Sequence, residues 1–188
     1  MTDKAAKALS ETVTTAGLFA VCTLPEVRLT DVLATAPRLL LVAVETAEPG
    51  NAGTLIRIAD AMGADAVVLA GDGVDPYNGK CLRASAGSIF ALPVLEAPDV
   101  PALVAALRQA NLTILATALD GEVSLDDADL VAPTAWLFGS EAHGLSPAAA
   151  ALADHRVRIE MPGSAESLNV AAAAAICLYE SARAHAAR

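Results

Sequence analysis

Leu39-Leu-Leu-Val-Ala-Val44-Glu-Thr-Ala-Glu-Pro49-Gly50-Asn51-Ala-Gly53-Thr-Leu-Ile-Arg57 contains a complete passage from strand to helix. An uninterrupted apolar run with no polar alternation makes a strand buried on both faces, which is the habit of parallel sheets. Pro49-Gly50 breaks that strand, and Asn51 is a good N-cap for a helix beginning after it. The spacing of Leu55, Ile58, Ala59 and Met62 predicts a helix over Ala52–Met62, stopped at Gly63.

The same alternation runs through the rest of the chain. Strands are expected at Ala66–Leu69, near Ile89–Leu95, at Leu112–Thr117, at Ala135–Phe138 and at Val157–Ile159. Helices are expected near Lys80–Ala86, from an Asp99 cap with Pro101 to about Ala110, from Pro147 to Ala153, and from about Ser167 to Ala184. Apolar strands alternating with helices define an α/β fold with a parallel sheet covered on both faces. Residues 1–37 do not share this rhythm. Lys4–Glu11 reads as a helix, Gly17–Val21 as a strand and Leu29–Ala34 as a helical turn, too little for a separate core. The expected division is therefore an extension over 1–37 and a catalytic or binding domain over 38–188.

At 188 residues the chain suffices for one well-buried domain. Its mean hydropathy of +0.50 and its 18% charged residues point to extensive burial, including a subunit interface. No run approaches the roughly 20 apolar residues of a membrane span, and Met1-Thr-Asp-Lys4 carries no signal-peptide pattern. Cys22, Cys81 and Cys177 are odd in number and widely spaced, so neither a disulfide framework nor a zinc site follows and a reducing cytoplasm is the expected location. Cys177, in an apolar helix, reads as core packing. The formal net charge of −10 opposes strong binding to nucleic acid, because phosphate contacts draw on Lys and Arg and only 12 are present against 22 acids. The acids of Asp120–Asp129 (Asp120, Glu122, Asp126, Asp127, Asp129) read as a solvated loop in preference to a metal site.

Three stretches place polar groups beside glycines at C-terminal strand ends, the edge where ligands sit in open α/β sheets. In Asn51-Ala-Gly53-Thr-Leu-Ile-Arg57, Gly53 admits a close backbone or ligand and Arg57 lies where it can reach the edge that Asn51 occupies. On this segment alone, an ordinary capped helix with a solvated arginine is the preferred explanation. Gly139-Ser-Glu141-Ala-His143-Gly144 is a tight loop after a strand. Glu141 there accepts hydrogen bonds from loop amides or from a ligand's amine, and His143 reads as incidental in preference to a general base. In Met161-Pro-Gly163-Ser-Ala-Glu-Ser167-Leu-Asn169-Val170, Ser167 is the expected cap of the last helix with Asn169 in its first turn, at an end suited to an anion. The small face Ala171–Ala175 implies close packing against another helix. No dinucleotide fingerprint follows the first strand, no P-loop is present, and no serine sits in a nucleophile elbow.

Taken together, Asn51-x-Gly53-x-x-x-Arg57, Phe138-Gly-x-Glu141-x-x-Gly144-Leu145 and Ser167-Leu-Asn-Val170 with Leu-Tyr-Glu180 resemble the three motifs of the SpoU (TrmH) branch of SPOUT RNA methyltransferases, and Arg83-Ala-Ser85-Ala-Gly87 resembles a fourth shared segment. The resemblance covers about Leu39 to Ala184 in the family's order. It implies a parallel-sheet fold whose C-terminal part forms a deep trefoil knot, a homodimer through the last helix, and no metal. It implies S-adenosyl-L-methionine as cofactor, held largely through backbone groups at Thr117, Leu119, Gly139, Ile159 and Leu168. The implied reaction methylates a ribose 2′-hydroxyl of RNA, 23S rRNA in preference to tRNA, with Arg57, Asn51, Glu141, Ser167 and Asn169 as the catalytic set. Ala171 stands where many members carry serine, a mild departure. Leu9–Val21 resembles the end of an L30e-like RNA-binding domain, so residues 1–37 are expected to be its remnant. Competing readings are a cofactor-binding dimerisation module without effective catalysis and a generic doubly wound nucleotide-binding enzyme.

Overall fold

The computed structural model describes residues 2–10, 17, 19–141 and 143–187. Two short helices, α1 (Asp3–Leu9) and α2 (Leu29–Ala34), precede β1 (Leu39–Val44). There follow α3 (Pro49–Ala61), β2 (Ala66–Ala70), α4 (Gly79–Ser85), β3 (Val94–Ala97), α5 (Val100–Gln109), β4 (Thr113–Thr117) and β5 (Val123–Ser124). The chain ends with β6 (Thr134–Phe138), α6 (Pro147–Ala150), β7 (His155–Arg158) and the long α7 (Val170–Ala186). Seven strands form one parallel sheet in the order β3-β2-β1-β6-β4-β7-β5.

The apolar character of β1 has a direct cause. Leu39, Leu41 and Ala43 enter a core shared with α3, α4 and α7, whereas Leu40, Val42 and Val44 enter a second core shared with α2, α5 and α6. Side chains alternate between the faces of a strand, so a strand covered on both sides has no position for a polar residue. Each fully buried leucine here contributes about 2 kcal/mol relative to exposure. Val32 of α2 belongs to the second core, so residues 29–34 pack as part of the sheet domain.

Several expected boundaries shift for identifiable reasons. The helix after β1 begins at Pro49, and Glu48 caps it by accepting from the Gly50 N–H at 3.0 Å. Proline is preorganised for the first helical position, where its missing N–H costs nothing. Asn51 therefore lies inside the first turn and is not the cap. At the last helix, Asn169 is the cap, accepting from the Ala171 N–H at 2.9 Å, and Ser167 lies outside the helix. The strand expected near Ile89–Leu95 divides into a 3₁₀ turn, Ser88–Phe90, and β3. Gly87, at φ 96°, starts that turn, and Pro93 joins the sheet only through its carbonyl, accepting from Val67 N–H at 2.9 Å. The strand expected at Gly17–Val21 is absent among its described residues, and Phe19 and Val21 are exposed with no neighbouring strand. Leu18 lies outside the described residues, as does Glu11 at the end of the expected first helix. The acidic loop contains β5 and a 3₁₀ turn, Leu125–Asp127, neither of which the sequence pattern announces.

Candidate active site

β4, β6 and β7 lie side by side, and their C-terminal ends open onto a cavity of about 650 Å³. Ligand sites of small molecules fall in the range of about 300–1,000 Å³. Leu119, Leu145, Ile159, Met161, Leu168 and Val170 supply apolar lining, and Thr117, Asp120, Ser140, Glu141, Arg156 and Ser167 supply polar lining.

The loop after β6 is folded on itself. Ser140 and Gly144 exchange backbone hydrogen bonds at 3.2 and 2.8 Å, and Gly144 takes φ 66°. A Cβ on Gly139 would overlap the Gly144 carbonyl group, so no other residue fits there. This closure turns the loop toward the cavity, with Glu141 and His143 exposed on it.

All five positions expected to hold a cofactor (Thr117, Leu119, Gly139, Ile159 and Leu168) line this one cavity, and Glu141 and Ser167 join them. Leu119 is largely exposed and Leu168 partly so, and both present apolar surface at the cavity. Asn51, Arg57 and Asn169 are not among its lining residues. Arg57 is exposed on α3, while Asn51 is half-buried. Asn169 spends Oδ1 on capping α7, which leaves its Nδ2 as the group able to donate outward. Gly53 is not a ligand contact: a Cβ there would collide with the Cys81 carbonyl oxygen of α4, so the close approach is helix to helix. Glu48 accepts from Lys80 of α4 as well as from Gly50, and this pairing holds its carboxyl below the usual glutamate range. The start of α3 is thus tied to α4 at both Glu48 and Gly53.

Two charged cavity residues, Asp120 and Arg156, are not signalled by any local motif. Asp120 was absorbed into the acidic loop, and Arg156 lies in a polar stretch without pattern; only the pairing of β7 with β4 and β5 brings them together. Cys177 is core, as expected, and burial pushes its thiol up to about 12. Among the described residues no group of His, Cys, Asp and Glu could hold a metal ion, and no helix is long and apolar enough to cross a membrane.

A parallel α/β sheet with a ligand-sized cavity at its strand ends, closed by a glycine turn and the approach to a helix, defines a cofactor-binding domain. The chain belongs to the SpoU rRNA Methylase family, which it matches over residues 38–179. It is similar to the 23S rRNA (uridine(2479)-2′-O)-methyltransferase of Streptomyces viridochromogenes, at 44% identity over 72% of this chain and 49% of that enzyme. It is also similar to the 23S rRNA (guanosine(2553)-2′-O)-methyltransferase RlmP of Bacillus subtilis (strain 168), at 39% identity over 95% of this chain and 70% of that enzyme. Among solved structures it resembles the SpoU methyltransferase AviRb of Streptomyces viridochromogenes in complex with AdoMet, with a TM-score of 0.74 and 39% identity over 79% of this chain and 61% of that one. The chain thus spans between 49% and 70% of the length of these relatives.

Proposed function

We propose that the chain carries the methyl-transferring domain of an S-adenosyl-L-methionine-dependent rRNA ribose 2′-O-methyltransferase, with residues 38–188 as that domain, α2 packed against it, and 23S rRNA as the substrate class. The observation that carries this reading is the gathering of Thr117, Leu119, Gly139, Ile159 and Leu168 around one cavity in a SpoU-family chain. The residues fit the cofactor: exposed Leu119 and Leu168 suit the faces of an adenine ring, and the folded 139–144 loop offers backbone groups to its edge. The knotted C-terminal part belongs to the same reading and is supported by two insertions in the sheet, β6 between β1 and β4 and β7 between β4 and β5. Free, buried Cys81 and Cys177 suit the cytoplasm.

When bound, S-adenosylmethionine supplies an electrophilic methyl group on a sulfonium that leaves as a neutral thioether. The protein's task is then to aim a ribose hydroxyl and help it lose its proton, which is mostly positioning. Arg57 carries a guanidinium, a poor base whose planar fork suits a phosphate. It therefore acts by holding the neighbouring phosphate and polarising the 2′-hydroxyl, not as a base. Ser167 at the cavity and the free Nδ2 of Asn169 orient that hydroxyl, and Glu141 accepts from an amine or amide at the loop.

Arg57 and Asn51 lie outside the cavity of their own chain, and a homodimer resolves this. Ile176 and Tyr179 of α7 and nearby Leu168 are exposed apolar groups, and α7 packs against α3. In this reading two copies pair through α7, and α3 of one supplies Arg57 to the cavity of the other. Incubating rRNA with methyl-labelled S-adenosylmethionine should place label in 2′-O-methylnucleosides, and Arg57→Ala should remove it. Label found only in bases, or none with the wild-type chain, would sink the reading.

A further inference from the structure

Arg156 is the one Lys or Arg among the described residues that line the cavity, and it is bound at several points. Its backbone N–H donates to Glu122 Oε1 at 2.8 Å, its Nε to Glu122 Oε2 at 3.0 Å and its Nη1 to Asp120 Oδ2 at 3.1 Å. Two residues along β7, on the same side of the strand, Arg158 donates from Nη1 to the Gly121 carbonyl at 3.0 Å. The Ala118 N–H donates to the Val157 carbonyl at 3.0 Å. The segment from Ala118 to Glu122, whose residues Ala118, Leu119 and Asp120 line the cavity, is thus fastened to β7 at Ala118, Asp120, Gly121 and Glu122. Arg156 and the loop's own amides hold the Glu122 carboxyl below the usual range, and the Asp120 carboxylate raises the Arg156 guanidinium.

The consequence lies at Asp120. Its Oδ2 accepts from Arg156, which tethers an exposed carboxylate at the cavity wall and leaves Oδ1 available as an acceptor. A cofactor built on adenosine and methionine carries hydroxyl and ammonium donors, and an oriented carboxylate is the acceptor that suits them. We propose that Asp120 is a specificity-determining residue for the methyl donor, accepting from its hydroxyl or ammonium donors, and that Arg156 is the positioning residue that aims it. This rests on the cofactor assignment made above, and it gives the acidic loop a function: two of its acids serve the cavity wall.

The test is a double-mutant cycle on the full chain, read by calorimetric titration with S-adenosylmethionine. Asp120→Asn is expected to weaken binding about tenfold, since a charge-assisted hydrogen bond becomes a neutral one. Arg156→Gln should weaken it by a similar factor, with Arg156→Lys partly restoring it, and the double variant should be no worse than either single one. In turnover the loss should fall on KM for the methyl donor and leave kcat nearly unchanged, whereas a merely structural role would lower the melting temperature and kcat together. Wild-type affinity in Asp120→Asn, or strictly additive losses in the double variant, would overturn the proposal and leave the cofactor assignment standing. Failure of the wild-type chain to bind S-adenosylmethionine at all would overturn both.

Discussion

The Trp136 indole N–H of β6 donates to Ser181 Oγ of α7 at 2.9 Å, and that hydroxyl donates in turn to the Cys177 carbonyl at 3.0 Å. All three residues are buried. β6 leads into Gly139 and the cavity loop, and α7 begins just after Ser167 and Leu168. The bond therefore joins two elements that lead into or out of cavity-lining segments. Ser181→Ala leaves the indole donor unsatisfied in the core, which costs about 1–3 kcal/mol. Because Trp136 is the only tryptophan of the chain, urea unfolding followed by its fluorescence measures the loss directly. A midpoint equal to that of the wild type would show that the bond carries no net stability.

Gly53 and Gly139 make separable predictions. At Gly53 a methyl group would press against the Cys81 carbonyl and the Ala84 side chain, so Gly53→Ala should force α3 from α4 and destabilise by about 1–3 kcal/mol. At Gly139 the obstruction is the backbone of its own loop. Gly139→Ala should open the Ser140–Gly144 turn and weaken S-adenosylmethionine binding at least tenfold by calorimetry, with a smaller change in melting temperature. Equal effects of both substitutions on cofactor affinity would contradict this division.

How far the sequence carried depends on what each signal is made of. The strands were legible because burial on both faces leaves only apolar residues, so β1, β2, β4 and β6 fell within a residue of their expected ends. Helix starts were less legible, because a cap is chosen by geometry among several polar neighbours: Glu48 displaced Asn51, and Asn169 displaced Ser167. β3 was misjudged because an apolar run spanned Pro93, whose missing N–H splits it into turn and strand. At the site, Thr117, Leu119, Gly139, Ile159 and Leu168, which the family resemblance implies, line one cavity, but Asp120 and Arg156 meet only through strand order. No local pattern encodes the neighbour of a two-residue strand such as β5.

The separation of Arg57 from the cavity of its own chain leads to a complementation experiment. Arg57 is exposed, so Arg57→Ala should leave folding and cofactor affinity intact while lowering methyl transfer about a hundredfold or more. Arg57→Lys should not restore it, since an ammonium lacks the planar fork that grips a phosphate. Mixing Arg57→Ala with Gly139→Ala, each impaired by itself at subsaturating S-adenosylmethionine, should raise activity after subunit exchange, because each heterodimer holds one intact Arg57 facing one intact cavity. No recovery in subunit-exchanged heterodimers would place Arg57 and the methyl donor in the same chain.

The cysteines give a pH prediction. Burial raises the thiol of Cys81 to about 11 and that of Cys177 to about 12, against about 8.5 for a free thiol. A group with a raised pKa in the folded state keeps its proton there longer than in the unfolded chain. Its contribution to stability is complete below about pH 8.5 and is lost as pH rises toward the folded values. Unfolding free energy should therefore fall between about pH 9 and 12, and Cys177→Ala should flatten that slope. At neutral pH a thiol-labelling reagent should modify exposed Cys22 quickly, and Cys81 and Cys177 only after denaturation. Rapid labelling of all three in the native protein would refute the burial assigned to the two core thiols.

Charge predicts how the chain meets RNA. At a formal net charge of −10 the long-range field repels a polyanion, and several cations are already committed: Arg28 to Asp31, Lys80 to Glu48, Arg108 to Asp154, Arg156 to Asp120 and Glu122, Arg158 to Glu160 and Arg183 to Glu180. Each would have to leave an acidic partner before it could bind a phosphate. Counterion release scales with the phosphates neutralised, at about 0.7–0.9 in the log–log salt slope for each. The isolated chain should therefore bind rRNA fragments weakly, with a slope of magnitude about 2 or less, corresponding to two or three phosphate contacts. Fluorescence anisotropy between about 50 and 200 mM salt measures that slope. Submicromolar binding with a slope near that of a protein making six or more contacts would mean that the acidic surface conceals a basic one, formed on dimerisation.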